Sequence, residues 1–106
     1  MTNPGPVLEH VPLTIIEGRE AEFEAAFDEA RHHVAAAGGW RSLRLSRCIE
    51  TPNHYLLLIE WDTLADHTEG FRNSPAFTKW RELVAPFWDP LPTIEHYTDC
   101  VVMNGS

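Results

Sequence analysis

The hydrophobic period along the chain switches several times between two and about 3.6, and each switch predicts a change of element. From Val7 to Ile16 valine, leucine, threonine and isoleucine mix as in a strand, with Pro12 implying a bulge or an unpaired position. Gly18 ends this strand. Phe23, Ala26, Phe27, Ala30 and Val34 then recur at helical spacing, while Glu20, Glu22, Glu24, Asp28 and Glu29 fall largely elsewhere, which predicts a long amphipathic helix. Its acid-rich start suits the positive end of the helix dipole, and Gly38-Gly39 supplies a stop that tolerates positive φ.

Trp40 to Glu50 is extended, Leu43, Leu45 and Ile49 alternating with Arg44, Ser46 and Cys48 before a Thr51-Pro52-Asn53 turn. The unbroken apolar run Tyr55 to Ile59 within His54–Trp61 suits a central strand covered on both faces, so the two segments read as a hairpin. Thr63 and Asp66 resemble a capping box with Asp in the Glu/Gln place, predicting a short helix from Leu64 whose Leu64, His67 and Phe71 stripe faces the core. Ser74-Pro75 starts a third helix with an apolar stripe at Phe77, Trp80, Val84 and Phe87. Pro86 falls near its end, and Pro90 and Pro92 prevent continuation. Thr93 to Val102 is β-rich and predicts a fourth strand.

The order β-α-β-β-α-α-β predicts an α+β, ferredoxin-like split βαβ with a four-stranded antiparallel sheet and its second helix broken in two. One domain is expected over residues 7–102, with flexible termini at 1–6 and 103–106. Two helical layers cover one sheet face only, yet strand three is apolar on both. A second copy of the chain, joined through a self-complementary face, meets that need, so a homodimer is expected.

Charge narrows the partners. Sixteen acidic and eight basic side chains give a net charge of -8, which repels a phosphate backbone, and Arg41, Arg44 and Arg47 do not share one strand face, so nucleic acid is not expected. No apolar run reaches the roughly 18 residues of a membrane span, and the start lacks the features of a secretory signal. The expected compartment is the cytoplasm. Cys48 and Cys100 form no CxxC and read as small buried hydrophobes. No metal is expected, because His32-His33 splay on a helix and no carboxylate/histidine set has ligand spacing. A phosphate loop and a Gly-x-Ser-x-Gly elbow are also missing.

Among chemically capable residues, His67 lies on a core-facing stripe, where an imidazole can act as a base toward a phenol or enol or serve as a hydrogen-bonded structural histidine. Arg81 flanks the third helix's apolar face and can meet an anion or pair with a neighbouring Glu. Trp61, Phe71 and Trp80 can wall a flat ligand or simply fill the core. Arg72, with Asn73, can line an entrance or cap and solvate. His96 and Tyr97 occupy opposite faces of strand four, one toward the pocket and the other toward the dimer interface.

The stretch Trp61-Asp62-Thr63-Leu64-Ala65-Asp66-His67, then Gly70-Phe71-Arg72-Asn73-Ser74-Pro75, Phe77 and Trp80-Arg81, resembles the central signature of the antibiotic-biosynthesis-monooxygenase family. The opening Val11-Pro12-Leu13-Thr14 with Gly18 and the closing Pro92-Thr93-Ile94-Glu95-His96-Tyr97 are similar to the ends of many members, so the resemblance runs from Leu8 to Tyr97. It implies a dimeric α+β barrel with a pocket between sheet and helices in each protomer. The best-understood branch oxidises polycyclic phenols to quinones with molecular oxygen and without metal, flavin or heme. That branch uses an Asn and a Trp four residues apart on strand three, a Tyr on the next helix and an Arg on the third. Trp61 and Arg81 match, whereas Leu57 stands in the Asn place and His67 in the Tyr place. A heme-degrading branch uses an Asn, a Trp and an axial His, where this chain carries Val11, Gly70 and, across a one-residue gap, Arg81. With none matching, heme cleavage is disfavoured.

The resulting expectation is a cofactor-independent monooxygenase that oxidises an electron-rich aromatic or enolisable, polyketide-like molecule. His67 is its base, Arg81 stabilises the anion, and Trp61, Leu57, Phe71, Trp80, Arg72, His96 and Tyr97 are candidate substrate contacts. The alternative is a non-enzymatic dimer that binds a small molecule, or a cyclase-like member using the same pocket, which Leu57 in place of Asn favours.

Overall fold

The computed structural model describes residues 6–105. Its elements are β1 (Val7–Thr14), α1 (Glu20–Ala35), β2 (Trp40–Arg47), β3 (His54–Trp61), a π-helical segment (Asp66–Phe71), α2 (Pro75–Val84), a single 3-10 turn (Ala85–Phe87) and β4 (Glu95–Tyr97). The sheet order is β2-β3-β1-β4 with every pairing antiparallel, which is the ferredoxin-like arrangement expected from the element order. Alternation on the two central strands turns Val7, Val11 and Leu13 of β1 and Tyr55, Leu57, Ile59 and Trp61 of β3 toward the helices, all buried. Phe23, Phe27, Ala30 and Val34 of α1 and Trp80 and Val84 of α2 complete this core, Phe27 and Trp80 meeting edge to face with centroids 5.4 Å apart.

The expected closure into a barrel is not found. β2 and β4 are the two edges of an open sheet, and β4 pairs with only three residues of β1. Closing a sheet requires each edge to find a partner strand, and four short strands, two of them central, leave the edges too far apart to meet. β4 is also shorter than the expected Thr93–Val102. Tyr97 pairs with Leu8, so the chain beyond it soon runs past the start of β1 at Val7, where Pro6 has no N–H to offer. Val101, Val102 and Met103 are consequently exposed.

Other boundaries shift for local reasons. β1 stops at Thr14, but Ile15 bridges Trp88 and the Ile16 amide donates to the Phe87 carbonyl, tying the strand's end to the 3-10 turn. Pro12 makes no bulge. The Asp89 amide donates to the Thr14 carbonyl on the side away from β3, and by alternation the donor Pro12 lacks points to that same side, beyond the last β4 pairing at His10. β2 ends at Arg47 because the Cys48 amide donates to the His54 carbonyl and Arg47 Nε to the Pro52 carbonyl at 2.6 Å, closing a turn that leaves Ile49 exposed. Neither cysteine is a buried hydrophobe: Cys48 is half-buried in this turn and Cys100 is exposed beyond β4.

The capping box forms as expected, the Asp66 amide donating to Thr63 Oγ1 at 3.2 Å and the Thr63 amide to Asp66 Oδ2 at 3.1 Å. The helix it opens widens into a π turn, closed by the Arg72 amide donating to the His67 carbonyl five residues back. His67 and Phe71 are buried, but Leu64, in the first turn at the rim, is exposed and leaves the stripe. α2 begins under the Ser74 side chain, which accepts from the Phe77 amide, and ends at Val84, two residues before Pro86. The expected flexible termini fall largely on residues 1–5 and 106, which lie outside the described residues. No helix among the described residues is long and apolar enough to cross a membrane.

Candidate functional site

Glu9 stands on the core face of β1, in the same period-two row as Val7, Val11 and Leu13, and is only 5% exposed. Its neighbours follow from register. Glu9 pairs with Ile59 on β3 and with His96 on β4, and Trp61, two residues further along β3, reaches it diagonally. Trp61 Nε1 donates to Glu9 Oε1 at 3.0 Å. From above the sheet, the π segment lowers His67 onto this pair. Its ring stacks on Trp61 at 5.4 Å between centroids, with Nε2 3.4 Å from Glu9 Oε1 and Nδ1 2.8 Å from His96 Nε2. The result is a row of three titratable groups, Glu9 and His67 buried and His96 half-buried.

Their electrostatics follow from the surroundings. Burial pushes the Glu9 carboxyl up to about 7, against the opposing pull of the Trp61 hydrogen bond and the Arg72 charge. His67 is held down to about 3, first by burial and then by the positive charge of Arg72 and by His96. Burial, then Arg72, also lowers His96. Glu9 and His67 are therefore both neutral on the acidic side of neutrality, with Glu9 ionising near pH 7.

Glu9 and His67 open onto a cavity of about 160 Å³, whose other walls include Ile59, Phe71, Trp80 and Trp88. Phe77, Arg81 and Leu91 line both this cavity and an adjoining open groove of about 620 Å³, so they form the boundary between the two. Of the residues expected at a site, His67, Arg81, Phe71 and Trp80 line the cavity. Trp61 and His96 stand behind its wall, touching it through Glu9 and His67. Leu57 is a core residue one strand period away from Ile59, which takes the place at the cavity. Tyr97 is on the opposite face of β4, 49% exposed and set edge-on to His10. Since His96 pairs with the inward-facing Glu9, β4 turns His96 rather than Tyr97 toward the site. Arg72 is exposed and acts through its charge and the amide that closes the π turn, and it does not appear in the cavity wall. Arg81 has no ion pair among the described residues, and its guanidinium lies 6.0 Å from the Trp88 ring.

Glu9 is the residue that sequence reasoning missed, although a carboxylate interrupting an apolar period-two row was a readable signal. Trp88, Leu91, Pro92 and Ile94 were also missed, because the stretch between α2 and β4 has no period that assigns it a face. Among the described residues, no group of three or more His, Cys, Asp or Glu side chains is arranged to hold a metal ion, the row being hydrogen-bonded and packed against itself.

The architecture recurs in known proteins. Residues 6–83 match the model of the antibiotic biosynthesis monooxygenase family. The uncharacterized protein YczJ of Bacillus subtilis (strain 168) is 46% identical over 93 residues, which span 88% of this chain and 98% of YczJ. A protein of Bordetella bronchiseptica assigned to the antibiotic biosynthesis monooxygenases superposes with a TM-score of 0.87 at 34% identity, over 92% of this chain and 99% of that one. SnoaB, a cofactor-independent oxygenase from Streptomyces nogalater, shares the fold at a TM-score of 0.79 and 20% identity, over 95% of this chain and 99% of SnoaB. With a family match across most of the chain and relatives alike along nearly their whole length, the protein belongs to the antibiotic biosynthesis monooxygenase family.

Proposed function

We propose that the protein oxidises a small phenolic or enolisable aromatic molecule with molecular oxygen, the protein supplying the base and the substrate supplying the electrons. The carrying observation is the carboxyl–imidazole pair Glu9–His67 set in the wall of a partly open, aromatic-lined cavity. Removing a proton from a phenol or enol yields an electron-rich anion able to donate an electron to oxygen. In the overall reaction of a phenol, a ring C–H carbon becomes a carbonyl, the phenol carbon becomes the second, and the other oxygen atom leaves as water with the two hydrogens. Family membership and the fold shared with the oxygenase SnoaB support this reading.

The base assignment differs from the expectation from sequence. His67, held down to about 3, is too weak to take a proton at neutral pH, whereas Glu9, near 7, is matched to the task. His67 then acts as a carrier. When Glu9 takes a proton it passes it to His67 Nε2, His67 Nδ1 releases one to His96 Nε2, and His96 releases its other proton away from the cavity. Neither imidazole needs to hold a lasting positive charge, which their burial disfavours. Arg81, on the same cavity wall, attracts an anionic ligand to the site.

Oxygen uptake by chelator-treated protein, offered a panel of phenols, quinols and anthrone-like substrates, tests the reading. Uptake is expected with at least one of them, with kcat lowered roughly 100-fold or more in Glu9→Gln. Binding without uptake anywhere in the panel would overturn it in favour of a binding protein, a role that the apolar Leu57 supports. A mass spectrum of any co-purified ligand, unchanged in air, is the signature of that second role.

The protein is also proposed to work as a homodimer. On the sheet face away from the helices Leu8, Leu56 and Leu58 are half-buried and Tyr97 is exposed, while His10 Nδ1 is shut from water without a partner. Ser42, Arg44 and Glu60 interrupt this face, so it is less apolar than strand three alone suggested. A second copy placed against it covers the leucines and leaves the polar groups at the rim.

A further inference from the structure

We propose that the preferred ligand is one aromatic ring wide, with an ionisable hydroxyl against Glu9 and His67 and a carboxylate on a short chain held by Arg81. This rests on the function proposed above for the site and names its substrate class. Size gives the first part. A cavity of about 160 Å³ is close to the roughly 150 Å³ that holds a benzene ring, and a fused tricyclic skeleton does not fit within it. Position gives the second. Glu9 and His67 belong to the cavity alone, whereas Arg81 lines both cavity and groove, so the hydroxyl end is inward and the substituent points to the side of the groove.

Charge gives the third. Arg81 lines the cavity wall as a cation without an ion pair among the described residues. Its guanidinium stands over the face of the Trp88 ring, 6.0 Å from the centroid. A planar guanidinium without an ion pair suits the two oxygens of a carboxylate. Glu82 on the groove wall repels further negative charge, so the anion is a single carboxylate rather than a phosphate chain.

Binding measured in the absence of oxygen, by quenching of tryptophan fluorescence or calorimetry, separates this inference from the proposed chemistry. The probes are 3-hydroxyphenylacetate, the neutral 3-hydroxyphenethyl alcohol and the tricyclic anthrone. The acid is expected to bind about tenfold more tightly than the alcohol, and anthrone more weakly than either. In Arg81→Gln the ratio of acid to alcohol affinity falls toward one, and Arg81→Lys restores much of it. Because Arg81 is exposed, both variants are expected to fold. Anthrone binding best, equal affinity for acid and alcohol, or a preference that survives Arg81→Gln would each overturn the inference. If the acid binds as expected but is never oxidised, the ligand class stands and the oxygenase reading fails. If anthrone is bound and oxidised, the reverse holds.

Discussion

Glu9 and His67 share one cavity wall, and burial moves their proton affinities in opposite directions. Both shifts keep the native pair neutral, so their effects on stability differ in sign. Glu9, raised from 4.5 to about 7, holds its proton in the native state where the unfolded chain has lost it, so this stabilisation is complete below pH 4.5 and lost as pH rises to about 7. His67, lowered from 6.5 to about 3, stays neutral where the unfolded imidazole is protonated. Its contribution is complete above pH 6.5 and lost as pH falls toward 3, with His96 acting in the same sense. Between pH 4.5 and 6.5 the Glu9 and His67 slopes oppose one another, each about 1.4 kcal/mol per pH unit for one proton. Urea unfolding of Glu9→Gln across this window is therefore expected to show stability rising with pH more steeply than in the parent protein. A variant profile parallel to the parent's would show that Glu9 does not hold its proton in the folded state.

At the scale of elements, the connection between α1 and β2 depends on Gly39. Its φ of +81° belongs to the left-handed region, and a Cβ built there falls on the Asp66 side chain. Asp66 has little freedom to retreat, because its carboxylate accepts from both the amide and the hydroxyl of Thr63 in the box that starts the π segment. Gly39→Ala therefore adds left-handed strain and disturbs the cap of the segment carrying His67. A loss of roughly 1 to 3 kcal/mol in urea unfolding is expected, from the left-handed strain alone. A change within about 0.5 kcal/mol, the range of an ordinary surface substitution, would show that the turn adapts without strain. Gly18, also at positive φ, has open space where a Cβ would go, so Gly18→Ala isolates the backbone term from the clash.

For the whole molecule, the unresolved balance is between the two faces of one sheet. The helices cover the Tyr55, Leu57, Ile59 and Trp61 side of β3 and leave the Leu56 and Leu58 side to a second copy in the proposed dimer. Light scattering at micromolar concentration is expected to give about twice the 12.1 kDa chain mass. Leu58→Arg, which places a charge in the middle of that face, is expected to shift the population to monomer and lower stability together, since folding and association are linked. A stable, soluble parent monomer at this concentration would remove the need for a partner.

How much of this was legible in the sequence divides along the range of the interactions. Element order, the capping box at Thr63 and Asp66 and the inward direction of His67 all follow from local spacing. His67 and Phe71 share a face in a π turn much as in an α turn, so these two members of the stripe stay buried through the change of helix type while Leu64 does not. What spacing could not decide is set by non-local pairing. β4 stops at Tyr97 because its partner strand begins at Val7, a fact about register rather than about the composition of residues 98–102. The open sheet is likewise a property of which edges meet. Glu9, His67 and His96 are far apart along the chain and become one row only when β1, β4 and the π segment dock around Trp61. The cavity is the space those elements leave between them, and no period in a sequence encodes a residual volume. Its walls and the proton affinities of Glu9 and His67 depend on desolvation, which exists only once the surrounding chain has excluded water.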